Sequence, residues 1–433
     1  MVNWILLGLL ILVLAAVPVA AVLGILSFAL DEIAMGGTLT RGMAEIIWEK
    51  SKEFILVAVP MFILLGEIML RAGIAQRMYA AVIQWLSWLP GGLMHANIGS
   101  CTIFAASSGS SVATAATVGT VAYPEIEARD YNESLFLGSL AAGGTLGILV
   151  PPSINLILYG LLTDTSVPEL YLAGIIPGLI LSLLFMATIV LGCLLRPKWG
   201  GTPVATTWGE RIRSLPHLLP PIVLFTAVVG SIYAGIATPT EAASIGVCMA
   251  MLIAASFKTL SLSMLREAFE GTMRTTAMIM LIVFAAIFLN FVLGFMGITQ
   301  AMLNFIAELG LTALQTIFLL IVFYLLLGMF METLSMMLTT VPVVFPIVMN
   351  LGEPMFTGVW FGILITLLME AALITPPIGV NLYVVQGIRA RGGKFADVAI
   401  GAMPFVVAML AMIVLLVFWP ALATWLPDLV YHS

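Results

Sequence analysis

Thr145-Leu-Gly-Ile-Leu-Val-Pro151-Pro152-Ser-Ile-Asn155 and Glu370-Ala-Ala-Leu-Ile-Thr375-Pro376-Pro377-Ile-Gly-Val-Asn381 decide how this chain folds. Each proline pair lies inside a long apolar stretch, and the two lie about 225 residues apart. Proline has no backbone N–H and its ring clashes with the preceding helical turn, so a double proline interrupts a helix. In lipid an unpaired backbone group is costly, and an unwound stretch survives only where it lines a cavity or is buried in protein. Two broken helices in corresponding halves are the sequence pointer to a transporter's binding site.

Working outward, 62% of the 433 residues are hydrophobic and only 9% are charged, with a mean hydropathy of +1.16. A soluble domain carries about 25% charged residues. The composition therefore reads as an all-α polytopic membrane protein without a soluble domain. The net charge of -6 comes with no basic run of the kind that binds nucleic acid. Cys101, Cys193 and Cys248 are isolated in apolar runs and read as small core residues. The N-terminus has no basic region before its first apolar run, which reads as a retained span.

Apolar runs occupy roughly 4–29, 54–70, 93–124, 133–162, 170–195, 217–236, 240–257, 275–296, 311–349, 356–388 and 398–420. Runs 93–124 and 311–349 exceed the ~20 residues that cross a bilayer. Small and polar residues interrupt both, as in a re-entrant helical hairpin. The halves match at further points: Gly73-Ile-Ala-Gln76 with Gly297-Ile-Thr-Gln300, Pro124 with Pro346, Asn155 with Asn381, and Gly174-Ile-Ile-Pro177 with Gly401-Ala-Met-Pro404. This order makes two structural repeats, 1–195 and 217–433, joined by a loop at 196–216. Each repeat holds one hairpin and one Pro-Pro-broken transmembrane helix.

Charge makes the repeats inverted. Thr163–Glu169 has no Lys or Arg, whereas Arg389–Lys394 has three, so the positive-inside rule puts the first outside and the second inside. The loop with Arg196, Lys198, Arg211 and Arg213 then lies inside, and both termini, which lack Lys and Arg, lie outside. Two features resist. Residues 217–257 offer two runs where the first repeat has one run broken at Pro18, and the basic segment Lys258–Arg274 falls where inversion expects the outside. Amphipathic surface helices are the expectation there, and at 31–53 and 71–90.

The first site candidate is Ala105-Ala-Ser107-Ser108-Gly109-Ser110-Ser111-Val-Ala-Thr114. Its hydroxyls and freed carbonyls suit a hard cation, and the N–H groups of the following half-helix suit an anion. Gly147, Val150 and Pro151 are predicted to face it. A close-packed contact of small residues is the competing reading. The counterpart is Gly328-Met-Phe-Met331-Glu332-Thr333-Leu-Ser335, in which Glu332 is a carboxylate inside an apolar run. Such a residue is a functional candidate whose partner must be named; a helix-capping carboxylate is the alternative. Glu370 is a second such case and Glu67 a weaker third. Thr238-Pro-Thr-Glu241 reads as a structural capping box. No Lys or Arg lies in either tip or either double-proline segment, so an anionic substrate would be balanced by bound cations and helix dipoles. There is no Gly-x-x-x-x-Gly-Lys-Ser/Thr loop for ATP. His95, the nearest histidine to Ser107, is too far back along the helix to make a hydrolase.

At these residues the chain resembles the large membrane subunit of tripartite ATP-independent periplasmic (TRAP) transporters, of the DctM type. Ser108–Thr114, Leu146–Ser153, Gly235-Ile-Ala-Thr-Pro-Thr-Glu241, Phe269-Glu-Gly-Thr-Met-Arg-Thr275 and Ile374–Leu382 carry the resemblance across essentially the whole chain. The family's second hairpin often has Asp where this chain has Glu332, which keeps the charge. The resemblance implies an elevator-type secondary transporter of the bacterial inner membrane, coupled to Na⁺. Its implied partners are a periplasmic substrate-binding protein and a small four-helix membrane subunit on a separate chain. Implied substrates are organic anions such as C4-dicarboxylates or sialic acid. On this reading one Na⁺ site uses Ser107, Ser110, Gly147, Val150 and Pro151, and a second uses Gly328, Glu332, Thr333, Ala372 and Thr375. Substrate is expected near Ser108, Ser111, Asn155 and Asn381. A stand-alone cation/organic-anion symporter of related architecture is the alternative.

Overall fold

Within the described residues the apolar runs fold into helices. The computed structural model describes residues 17–202, 204, 206–389 and 392–431. The start of the predicted span 4–29, Arg391 and His432 lie outside the described residues. Among those described there is no strand, only an isolated bridge between Tyr131 and Gly200.

The first half begins with α1 (Val19–Met35), the short α2 (Met43–Ser51), α3 (Ala58–Arg71) and α4 (Ile74–Leu86). A helical hairpin follows, α5 (Leu93–Ser108) and α6 (Ser111–Ala122), and then α7 (Pro124–Ala128). Next come α8 (Glu133–Thr145), α9 (Ile154–Thr163) and the long α10 (Val167–Leu195). The connection holds α11 (Trp208–Ser214), so the expected loop is partly helical. Its start is fixed by a reciprocal capping box between Thr207 and Glu210.

In the second half α12 (Leu219–Tyr233), α13 (Pro239–Ser256), α14 (Leu262–Phe295) and α15 (Ile298–Glu308) precede a second helix pair, α16 (Ala313–Gly328) and α17 (Thr333–Met349). The chain closes with α18 (Gly358–Ile374), α19 (Val380–Ile388), α20 (Phe395–Phe418) and α21 (Ala421–Tyr431). The Thr238–Glu241 capping box is present and starts α13. The basic segment Lys258–Arg274 does not form a separate surface helix. A Ser261 cap starts α14, which runs unbroken for 34 residues, so Arg266 and Arg274 sit on the early turns of a long helix.

Five described segments are long and apolar enough to cross a membrane: Phe54–Arg71, Val167–Leu195, Pro239–Ser256, Leu262–Phe295 and Phe395–Phe418. The pair Trp208–His217 and Leu219–Tyr233, bent by 45°, makes a sixth. Leu179, Leu183, Leu191 and Leu194 line one exposed stripe of α10. Such a face is stable against lipid and unstable against water, which makes the chain a multi-pass membrane protein.

Both proline pairs break their helices, and both Pro-Pro bonds are cis. The restarts differ. After the first, Ser153 caps α9 by accepting from the Leu156 N–H at 3.4 Å and donating to the Ile148 carbonyl at 2.5 Å. After the second, α19 starts from Gly379 at φ 48°, a left-handed conformation that a side chain disfavours, with no side-chain cap.

Packing sorts the helices into two groups. In one, α3 lies against α13 and α14, and α1 lies against α14. In the other, α8 lies against α20, α5 and α6, while α19 lies against α6 and α8. The α8–α20 contact has no room for side chains: one at Gly138 would overlap the Gly401 carbonyl, and one at Gly401 would overlap the Ser134 carbonyl. Small residues here let two membrane helices approach backbone to backbone. The helix before the first break is thereby fused to the helix that follows the second broken one.

Candidate functional site

Site geometry follows from where the first hairpin turns. Gly109 ends α5 at φ 61°, and Ser110 takes an extended conformation as the cap of α6, accepting from the Ala113 N–H at 3.4 Å. This tip presses on the first broken helix at two points. A Cβ at Gly109 would lie 2.8 Å from the Pro152 carbonyl oxygen, and one at Gly147 would lie 2.6 Å from that of Ser110. Ser110 and Gly147 are thus brought together as the sequence predicts. The Ser107 hydroxyl donates to the Phe104 carbonyl at 2.8 Å, which leaves its oxygen able to accept or ligate. Val150 turns its side chain toward Gly178 and its N–H to the Leu146 carbonyl at 3.0 Å, while Pro151 is buried.

In the second half Gly328 touches Ala372, where any side chain on Gly328 would overlap the alanine methyl. Glu332 caps α17: one carboxylate oxygen accepts from the Ser335 N–H and hydroxyl, each at 3.1 Å, and the other from the Thr333 hydroxyl at 3.2 Å. Its side chain is exposed, so it is not the buried carboxylate expected from its place in an apolar run. The reason is local: the chain leaves helical geometry at Met329–Glu332, and that break opens on a cavity. Thr375 donates its hydroxyl to the Ala371 carbonyl at 2.6 Å. Glu370 is fully buried, with no hydrogen bond to either carboxylate oxygen among the described residues.

The cavity measures about 710 Å³ and lies where the two helix groups face each other. One wall carries both tips, with Ser108, Ser110 and Ser111 from the first and Glu332, Thr333 and Ser335 from the second. Asn155 joins them and its amide nitrogen has no hydrogen-bond partner. The opposite wall is a helical stripe of α3, Ile63, Gly66, Glu67 and Leu70, facing a stripe of α14 that includes Thr275 and Ile282. Among the described residues, no Lys, Arg or His lines it.

Two of the predicted substrate hydroxyls are already engaged: Ser108 with Thr114 at 2.8 Å, and Ser111 with the Thr145 carbonyl at 3.0 Å. Asn381 is a correction. It does not line the cavity; its amide donates to the Ala141 carbonyl at 3.2 Å between α19 and α8, and it is fully buried. Small residues cause this, since Gly144 and the α6 alanines leave a slot beside α8 that Asn381 fills. Sequence reasoning missed the α3 wall, although its spacing of three and four residues was the available signal. Gly66 matters there, because a Cβ on it would lie 3.1 Å from the Ser108 carbonyl oxygen. Glu67 is ion-paired with Arg71 one turn on, and Arg71 also lies 3.7 Å from Glu267 of α14.

Known proteins resemble this chain along most of its length. The family model for the DctM component of tripartite ATP-independent periplasmic transporters matches residues 6–422. This chain belongs to the DctM family. The large permease protein DctM of a C4-dicarboxylate TRAP transporter from Pseudomonas aeruginosa is 32% identical, with 93% of each chain covered. The large permease protein UehC of an ectoine/5-hydroxyectoine TRAP transporter from Ruegeria pomeroyi is 30% identical, with 87% of each covered. Among solved structures, the YdaH transporter of Alcanivorax borkumensis superposes with a TM-score of 0.63, covering 96% of this chain and 98% of that one. At 16% identity that likeness concerns the fold alone. As a DctM-family permease the chain is a transporter subunit and not an enzyme.

Proposed function

We propose that this DctM-family chain is the large membrane subunit of a Na⁺-coupled importer of organic acids, handed its substrate by a periplasmic binding protein. The observation that carries this reading is the cavity: both hairpin tips and both broken helices meet there, with no basic side chain among the described residues. An organic anion in such a cavity needs its charge balanced. Cations held by Ser107, Ser110, Gly147, Val150 and Pro151, and by Gly328, Glu332, Thr333, Ala372 and Thr375, supply that balance. Starts of α6, α9 and α17 add helix-dipole attraction for the carboxylate. Ser108, Ser111 and Asn155 are the substrate-facing groups; Asn381 takes no part.

The packing supports inverted repeats and an elevator. Helices α5–α9 and α16–α20 form the moving body, and α1, α3, α13 and α14 the fixed wall. Counting α12 and α13 as separate crossings puts Lys258 on the same side as the loop at 196–216, which removes the charge conflict. Both termini are then periplasmic in an inner-membrane protein. The Arg71–Glu267 contact sets the end of α3 beside the start of α14. On the proposed topology the Glu67–Leu70 end of the cavity is the cytoplasmic one, and the conformation is read as inward-facing. A small four-helix subunit is the membrane partner.

The experiment is uptake into proteoliposomes holding all three components, driven by a Na⁺ gradient alone. Uptake that ran equally well on a proton gradient without Na⁺ would overturn the coupling. Uptake by this chain without a binding protein would favour a stand-alone symporter.

A further inference from the structure

One buried cation stands apart from the cavity. Arg389 ends α19, and its side chain is only 3% exposed. Its guanidinium donates to Glu133 at 2.6 Å, to Asp397 at 3.3 Å, to the Gln386 amide oxygen at 3.2 Å and to the Lys394 carbonyl at 3.1 Å. Glu133 and Asp397 occupy the first turns of α8 and α20, where the helix dipole favours an acid, while Arg389 sits at a helix end that favours a cation. Three helix ends from both halves converge on one planar fork. Beyond this joint α8 leads to Gly147 and α19 leads back to Thr375, and between them α8 and α20 touch without clearance at Gly138 and Gly401.

We propose that Arg389 is a positioning residue that locks the second broken helix to the first, so that cation occupancy at one proposed site is felt at the other. This rests on the two-cation reading above. A buried ion pair is weak evidence of stabilisation, since apolar residues of the same volume often do as well. Its Nε, buried without a partner, adds to that account. What the fork supplies is register: two carboxylates on separate helices are held at fixed angles to one plane. A lysine provides a point charge and no such plane.

The test uses the protein purified with its membrane partner, titrated with Na⁺ and read by the fluorescence of its nine tryptophans, beside Na⁺-driven uptake. The unmodified protein is expected to respond with a Hill coefficient above one. Arg389→Lys and Glu133→Gln are expected to bring that coefficient toward one and to raise half-saturating Na⁺ about fivefold or more, the low end of typical coupling. A purely structural role would lower yield and maximal rate and leave the steepness intact; that result overturns the proposal, as does a coefficient of one in the unmodified protein. No Na⁺ response at all in the unmodified protein overturns the two-cation reading itself, and is seen before any variant is made. If Arg389→Lys does not fold, Glu133→Gln and Asp397→Asn carry the same readout, since each leaves the arginine one carboxylate.

Discussion

Gly147 packs directly on the backbone of Ser110: a Cβ at Gly147 would lie 2.6 Å from the Ser110 carbonyl carbon and oxygen, and 2.7 Å from the Ser111 nitrogen. All three are main-chain atoms of a tight tip, which has no rotamer with which to retreat. Gly147→Ala must therefore push the hairpin off the broken helix, at about 1–3 kcal/mol for an overpacked contact. Half-saturating Na⁺ for uptake is expected to rise roughly tenfold, which corresponds to about 1.4 kcal/mol. Gly294→Ala in α14 meets nothing within 4 Å and serves as the control, with an unchanged Na⁺ response. Equal responses in the two variants would remove Gly147 from the cation site.

Glu332 has two separable roles, and two substitutions pull them apart. Glu332→Gln retains an oxygen for the Ser335 N–H, so the α17 cap persists while the charge is lost. Glu332→Ala loses both, and removal of a cap costs about 1 kcal/mol. Thermal unfolding in detergent is expected to stay near normal for Gln and to fall for Ala, while Na⁺ dependence weakens in both. A Gln variant with normal Na⁺ dependence would reduce Glu332 to a cap.

How much was legible beforehand depends on the range of the physics. The proline pairs, the Gly109 turn and the Thr238–Glu241 box follow from backbone chemistry within a few residues, so the sequence carries them. Asn155 and Asn381 show where it stops. Each is the second residue of a helix restarted after a cis Pro-Pro pair, yet one opens on the cavity and the other fills a slot beside Gly144. That difference comes from helices distant in the chain. Gly66 was obscure for the same reason, and Glu67 stood out only as an acid in an apolar run: their role depends on Ser108 and Gly271 lying opposite. Arg389 counted only as a charge in the topology argument, because Glu133 meets it from 256 residues away.

Glu370 gives a stability prediction of unusual sign. It is fully buried in α18, and neither carboxylate oxygen has a hydrogen-bond partner. The Leu149 amide interacts with it but spends its hydrogen on the Leu146 carbonyl at 3.3 Å. A buried polar group without partners costs roughly 1–3 kcal/mol. Glu370→Met, of similar volume, is expected to unfold at a higher temperature than the unmodified protein, and Glu370→Gln at a lower temperature than Met. A Met variant that melts earlier would mean the carboxylate is held by a partner in the working transporter.

The two asparagines make the sharpest comparison, because they share a helix position and differ only in surroundings. Asn155 lines the cavity and its buried amide nitrogen has no hydrogen-bond partner among the described residues, so Asn155→Leu removes a polar group expected to hold substrate. Its expected effect is on substrate, with KM raised about tenfold or more and thermal stability little changed; a hydrogen bond to a charged group contributes about 1.5–3 kcal/mol. The Asn381 amide nitrogen is spent on the Ala141 carbonyl, and its amide oxygen is buried without a partner among the described residues. Asn381→Leu crowds the slot beside Gly144, where the amide nitrogen already lies 3.1 Å from a notional Cβ. It should lower folded yield and maximal rate while KM stays constant. The measurement is uptake kinetics with saturating binding protein, alongside melting curves. Were Asn381→Leu to raise KM and Asn155→Leu to leave it alone, the cavity between the tips would not be where substrate sits.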